Sequence, residues 1–292
     1  ADASPITPKT RTTCDPPAAV EVRGVTFGYG QADTDPAALT DISAALRPGR
    51  LTAVLGPNAS GKSTLLRVML GQLRPWAGAV EVAGRPVASL TGQPLARRVS
   101  YVPQRGGMSF AFSVRQTVAM GRFAFGDEGN VDEAIDKLGL TDVADRPFNE
   151  LSGGQQQRVL IARAWAQSQP AAGRGGADED EAPRVVLADE PASSLDLRHA
   201  HGAMALFREM AEEGRAVLVV LHGLDLATRW ADEVWLLDRG RLVAQGSADE
   251  VLRPEVLSPV YGLELDRLEH RGQTVLVAQP PPGASSRDTL NV

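Results

Sequence analysis

The stretch Leu55-Gly56-Pro57-Asn58-Ala59-Ser60-Gly61-Lys62-Ser63-Thr64-Leu65-Leu66 decides the reading of this chain. It follows an apolar run (Leu51, Ala53, Val54, Leu55) and opens a helical pattern that continues to Leu73. Gly56 to Ser63 match G-x-x-x-x-G-K-[ST], a phosphate-binding loop between a strand and a helix. Glycines let the backbone bend so that successive N–H groups point inward at phosphate oxygens. The helix start, with Thr64 in its first turn, adds partial positive charge. Lys62 is placed to reach the β- and γ-phosphates of a nucleotide, and Ser63 to bind Mg²⁺.

Outward from this loop the chain alternates strands and helices. Val20 to Tyr29 alternates apolar and other residues, as a strand does. Two more strands flank a Pro48-Gly49 turn, Gly78 to Leu90 reads as a small hairpin, and Arg97 to Gln104 as a strand. Helical patterns fill Val114 to Leu140, with loops, and Gln155 to Gln167. "RVVLADE" and "AVLVVLHG" are buried strands ending in Asp189-Glu190 and His222, and "EVWLLDRGRLVAQGS" reads as a hairpin. Apolar strands alternating with helices predict an α/β fold with a mostly parallel sheet covered on both faces. The early hairpins predict an added N-terminal antiparallel β layer. Residues 1–19 read as a mobile tail, 168–183 as a solvated surface loop with an acidic run, and 266–292 as a C-terminal strand and a loose tail.

Composition narrows the function classes. The chain has 292 residues, 43% of them hydrophobic, and a formal net charge of −6. That balance does not predict a broad electrostatic footprint for nucleic acid. The one cysteine, Cys14, excludes an internal disulfide, fits a reducing compartment and reads as incidental. No apolar run approaches the roughly 20 residues of a membrane span, and residues 1–19 lack the apolar stretch of a signal peptide. Membrane work would need a partner to supply the membrane part.

Asp189 and Glu190 add chemistry to the loop. Asp189 would hold Mg²⁺, directly or through water, and Glu190 would orient or deprotonate an attacking water.

With "LSGGQQQR" (Leu151 to Arg158) the chain resembles the ATP-binding subunit of ABC transporters over roughly residues 20–265. The resemblance implies a P-loop ATPase core, a helical signature subdomain over about 106–165, ATP and Mg²⁺ as ligands, and ATP hydrolysis. It places Tyr29 where an aromatic stacks on adenine, and Gln104 where a glutamine senses Mg²⁺ and water. Leu151, Ser152, Gly153, Gly154 and Gln155 would hold the γ-phosphate of an ATP bound to a second copy of the chain. Asp196 would cross that head-to-tail dimer interface, and His222 would touch the γ-phosphate. Four residues depart from the usual pattern. Ala59 replaces Gly at a free position of the motif. Ala188 replaces a larger apolar residue, which predicts looser packing. Ala192 replaces Thr, and Gly223 replaces the Asp after His222, a change that bears on how firmly His222 is held.

"SYVPQ", "FSVRQTVAMGR", "SSLDLRHAH" and "VLRPEVLSPVYGLEL" resemble the importers of metal chelates, namely ferric siderophores, haem and cobalamin. The implied partners are two membrane permease subunits and an external substrate-binding protein, at the cytoplasmic face of the membrane. His199 and His201 are not read as haem ligands, since in this family the chelate passes through the permease. Rival readings are a subunit for another cargo, an exporter subunit, a soluble ABC ATPase of translation or repair, and a nucleotide-dependent scaffold without turnover. Translation types carry two ATPase halves, repair types carry a long coiled coil between Lys62 and Ser152, and this chain shows neither.

Overall fold

The computed structural model describes residues 17–32, 34–107, 110–171 and 184–280. Cys14, most of the N-terminal tail, residues 172–183 and residues 281–292 lie outside them.

The first half builds two layers. β1 (Val20–Phe27) and β2 (Leu39–Leu46) form an antiparallel pair. After the Pro48-Gly49 turn, with Gly49 at φ +74, the chain enters β3 (Leu51–Leu55) in a different sheet. α1 (Lys62–Met69) follows, then the hairpin of β4 (Ala77–Val82) and β5 (Arg85–Pro86). The four strands β2-β1-β4-β5 make the antiparallel layer expected near the N-terminus. α2 (Gln93–Ala96), a short helix with no counterpart in the sequence reading, leads to β6 (Val99–Val102).

α3 (Val114–Ala119), α4 (Val131–Lys137) and α5 (Gly153–Ser168) form the helical part. β7 (Val185–Asp189), α6 (Leu197–Glu212), β8 (Ala216–Val220) and α7 (Leu224–Trp230) continue the alternation. β9 (Glu233–Asp238) and β10 (Arg241–Ser247) are the expected hairpin. α8 (Ala248–Val251) and α9 (Pro254–Tyr261) then precede β11 (Leu265–His270) and β12 (Gln273–Ala278). The sequence reading has one strand here; the structure has an antiparallel hairpin turning at Arg271-Gly272, both at positive φ.

The main sheet runs β10-β9-β3-β8-β7-β6, parallel except for β10 at its edge. Its central strands β3, β7 and β8 are buried at every position. Alternate residues serve the two faces. Leu51, Ala53, Leu55, Val186, Ala188, Val217 and Val219 enter the core shared with the helices. Val54, Val185, Leu187, Ala216, Leu218 and Val220 enter the core shared with α1 and the antiparallel layer. Both faces are therefore covered, which is why these strands read as unbroken apolar runs. Ala188 is fully enclosed.

Candidate active site

The phosphate loop occupies the C-terminal end of β3, where open α/β sheets place their ligands. Two of its glycines are required. Gly56 has φ +144, and a Cβ there would lie 2.0 Å from the Leu237 carbonyl oxygen. Gly61 has φ +103, and a Cβ there would lie 2.8 Å from Leu39 Cδ2. Ala59 is not at a free position in backbone terms. It holds φ +61, a left-handed conformation that costs a residue with a Cβ about 1–2 kcal/mol. α1 starts from Gly61 with no side-chain cap, so the first N–H groups of the helix face the loop.

Lys62 crosses the loop. Its Nζ donates to the carbonyls of Gly56 at 2.7 Å and Pro57 at 2.8 Å. Burial lowers its pKa, and the carboxylates of Glu190 and Asp189 pull it back up. The Gly56 N–H does not point at the phosphate cradle. It donates to the hydroxyl of Tyr261 at 3.1 Å.

The carboxylates meet the loop from β7. Ser63 Oγ donates to Asp189 Oδ1 at 3.1 Å. Burial pushes the Asp189 carboxyl above the usual carboxylate range, and the Ser63 hydrogen bond opposes the shift. Glu190 follows at φ +49, a strained position of the kind that collects at functional sites. Its carbonyl accepts from Ser193, by N–H at 3.2 Å and by Oγ at 3.0 Å. Its carboxylate accepts from Gln104 Nε2 and lies 2.5 Å from His222 Nε2. Gln104, Glu190 and His222 come from three different strand ends and converge on one carboxylate. His222 is thus held by Glu190 across the sheet, with Gly223 behind it as the N-cap of α7.

Tyr29 stands at the other end. Its hydroxyl shares a hydrogen bond of 2.9 Å with Thr64 Oγ1, and its ring meets Phe27 edge-on at 5.1 Å. Tyr29 is 66% exposed and faces the cleft. A cleft of about 590 Å³ joins Tyr29, the loop from Asn58 to Thr64, Glu190 and His222.

Leu151, Ser152, Gly153, Gly154, Gln155 and Asp196 do not line that cleft. Leu151 is buried, and Ser152 caps α5. The Ser152 Oγ accepts the Gln155 N–H at 3.3 Å, and the Ser152 N–H donates to Gln155 Oε1 at 3.0 Å. A Cβ at Gly154 would lie 3.2 Å from the Ser194 carbonyl oxygen, so this turn packs against the loop that carries Asp196. Asp196 caps α6 through the His199 N–H at 2.8 Å and accepts His199 Nδ1 at 2.8 Å, which hold its carboxyl below its usual range. His201 Nδ1 accepts from Trp230 Nε1 at 3.3 Å.

Tyr261 was not legible as a site residue, because it lies 205 positions from its partner. Burial raises its phenol pKa, which keeps the hydroxyl neutral. Tyr261→Phe strands the Gly56 N–H and is expected to cost about 1–3 kcal/mol. Chemical denaturation should show this loss together with a higher KM for ATP. An unchanged midpoint and KM would remove Tyr261 from the loop's support.

Residues 39–172 match the family described as ABC transporter. The hemin import ATP-binding protein HmuV of Bordetella avium is 40% identical over 80% of this chain and 89% of its own length. The cobalamin import ATP-binding protein BtuD of Halobacterium salinarum is 41% identical over 76% of this chain and 54% of its own. Among solved structures, an inward-facing metal-chelate type ABC transporter superposes with a TM-score of 0.71 at 28% identity, covering 90% of this chain and 98% of that one. A dimeric ATP-binding cassette in a post-hydrolysis state, bound to ADP and phosphate, superposes with a TM-score of 0.67 at 25% identity, covering 78% and 98%.

Proposed function

As the chain belongs to the ABC transporter family and hydrolyses ATP, we propose that it energises import of a metal chelate, a ferric siderophore, haem or cobalamin, through a separate permease. The observation that carries the hydrolytic half is the convergence of Gln104 and His222 on Glu190 beside the phosphate loop. The importer half is supported by likeness to hemin and cobalamin import subunits along most of the chain.

Tyr29 stacks on the base, worth about 1–3 kcal/mol. Lys62 and the N–H groups from Asn58 to Thr64 hold the β- and γ-phosphates. Ser63 Oγ and Asp189 Oδ1, two hard oxygen donors 3.1 Å apart, suit Mg²⁺. That ion would supply charge neutralisation on the β- and γ-phosphoryl oxygens. Glu190 accepts a proton from the attacking water as the water oxygen bonds the γ-phosphorus and the bond from that phosphorus to the bridging oxygen of ADP breaks. Gln104 and His222 fix the orientation of Glu190, and His222 also faces the γ-phosphate. Ser152 to Gln155, at the start of α5, bind the γ-phosphate of the ATP on a second copy, and Asp196 crosses between the two copies. The arrangement is isologous, with two nucleotides between two chains.

The permease subunits dock where Gln104 and the helices after it reach the surface. A groove of about 630 Å³ there is lined by Leu95, Tyr101, Met120 and Arg163, and by the 80% exposed Phe123. No helix among the described residues is long and apolar enough to cross a membrane. The chain works at the cytoplasmic face as a peripheral subunit, and a substrate-binding protein delivers the chelate from outside.

A pull-down tests this. The tagged chain is expressed in its own cells, the membranes are solubilised gently and partners are identified by mass spectrometry. The expected result is a multi-span permease, with or without a chelate-binding protein. Ribosomal or DNA-bound partners without a permease would leave the ATPase and overturn the transport reading.

A further inference from the structure

The turn between β9 and β10 presents a cation that none of the steps above uses. Asp238 pairs with Arg241, so Arg239 and Gly240 form a two-residue hairpin loop, at φ +46 and +75. Such loops favour Asn, Asp or Gly at the first position, because positive φ strains longer side chains. Arginine stands there instead, at a conformational cost. Gly240 fastens the turn to the phosphate loop. Its N–H donates to the Ser60 carbonyl at 3.0 Å, and its own carbonyl accepts the Thr40 N–H at 2.8 Å. A Cβ at Gly61 would lie 3.6 Å from the Gly240 Cα. Arg239 therefore projects from the edge of the loop, and it lines the same cleft as Asn58, Ser60 and Lys62. Its side chain is 92% exposed, with Asp238 as its ion-pair partner at 4.0 Å. A contact that long at the surface contributes little, so the guanidinium can turn to a stronger anion.

We propose that Arg239 is a nucleotide-binding residue whose guanidinium holds the polyphosphate of ATP. This rests on the ATP-binding reading of the cleft. Phosphate is the target, rather than base, because Arg239 is a cation lining the cleft beside Asn58, Ser60 and Lys62, and only the polyphosphate of ATP is anionic. The base platform, Tyr29, is bonded to Thr64 and packed on Phe27. A guanidinium offers phosphate two parallel N–H donors, a geometry that an ammonium lacks.

The test uses the purified full chain and calorimetric titration with ATP, ADP and adenosine. Arg239→Asn suits the turn better and is expected to raise Tm by about 2 °C. The same variant should bind ATP and ADP about tenfold more weakly and adenosine as the parent does. Arg239→Lys keeps the charge without the fork and should lose less, about threefold. A residue with a purely structural role would move Tm and leave the titrations alone. Unchanged ATP affinity in Arg239→Asn overturns the proposal, as does an equal loss for adenosine. A parent chain that fails to bind ATP would overturn the ATP-binding reading itself, and the two failures are told apart by the parent titration.

Discussion

Lys62→Ala is expected to abolish measurable ATP hydrolysis while the chain stays folded. In the proposed site the ammonium makes charge-assisted hydrogen bonds to two phosphoryl groups, each worth about 1.5–3 kcal/mol. Loss of both weakens transition-state binding by about 10²–10⁴-fold. The fold survives because Lys62 is no structural keystone. Its partners are two loop carbonyls, and burial already disfavours its charge. A phosphate-release assay beside a thermal melt checks both halves. Turnover above a tenth of the parent's would contradict the role of Lys62, and a collapsed melt would contradict its independence from folding.

Glu190→Gln separates binding from chemistry. The amide keeps the size of the carboxylate and the left-handed backbone at φ +49, yet it cannot take a proton from water. Loss of a general base costs about 10²–10⁴-fold, and kcat should fall by that much. ATP affinity should stay within about threefold, because Lys62, Ser63 and Asp189 are untouched. The carboxylate now accepts from Gln104 and faces His222. An amide has one acceptor oxygen for those two contacts, so the Gln104 amide or the His222 tautomer must turn. With ATP retained between two copies, the variant should accumulate as a dimer. Light scattering after size exclusion, with and without ATP, reads this directly. Normal turnover would remove Glu190 as the base, and a variant that remains monomeric with ATP would count against nucleotide held between two copies.

Both predictions come from residues that the sequence displays openly. Strand β3, the loop from Gly56 to Ser63 and helix α1 are contiguous, and local backbone chemistry sets each of them. The strands β7 and β8 announce themselves as apolar runs because both sheet faces are covered. α6 carries a helical signal of its own. Ala200, Ala203, Met204, Phe207 and Met210 are buried at helical spacing, directly after the Ser193-Ser194-Leu195-Asp196 motif. α2, α7, α8 and α9 are short, between 4 and 8 residues, and such lengths carry too few periods to stand out. The C-terminal stretch 266–292 reads as one strand and a loose tail because β11 and β12 are exposed at most positions and carry few buried side chains to mark them.

Sequence alone determined that this chain is a P-loop α/β ATPase, and it displayed the motif residues, Gly56 to Thr64 with Asp189 and Glu190, that are proposed to bind and hydrolyse the nucleoside triphosphate. Motif and periodicity are local properties, set by backbone sterics and by side chains a few positions apart. Only the tertiary structure decided which groups hold those residues in place. Gly56 leans on Tyr261, Ser60 on Gly240, Ser63 on Asp189, and Glu190 on Gln104 and His222. Each pair joins strand or helix ends far apart in the chain, and no local pattern encodes a hydrogen bond that exists only once the sheet has brought its edges together.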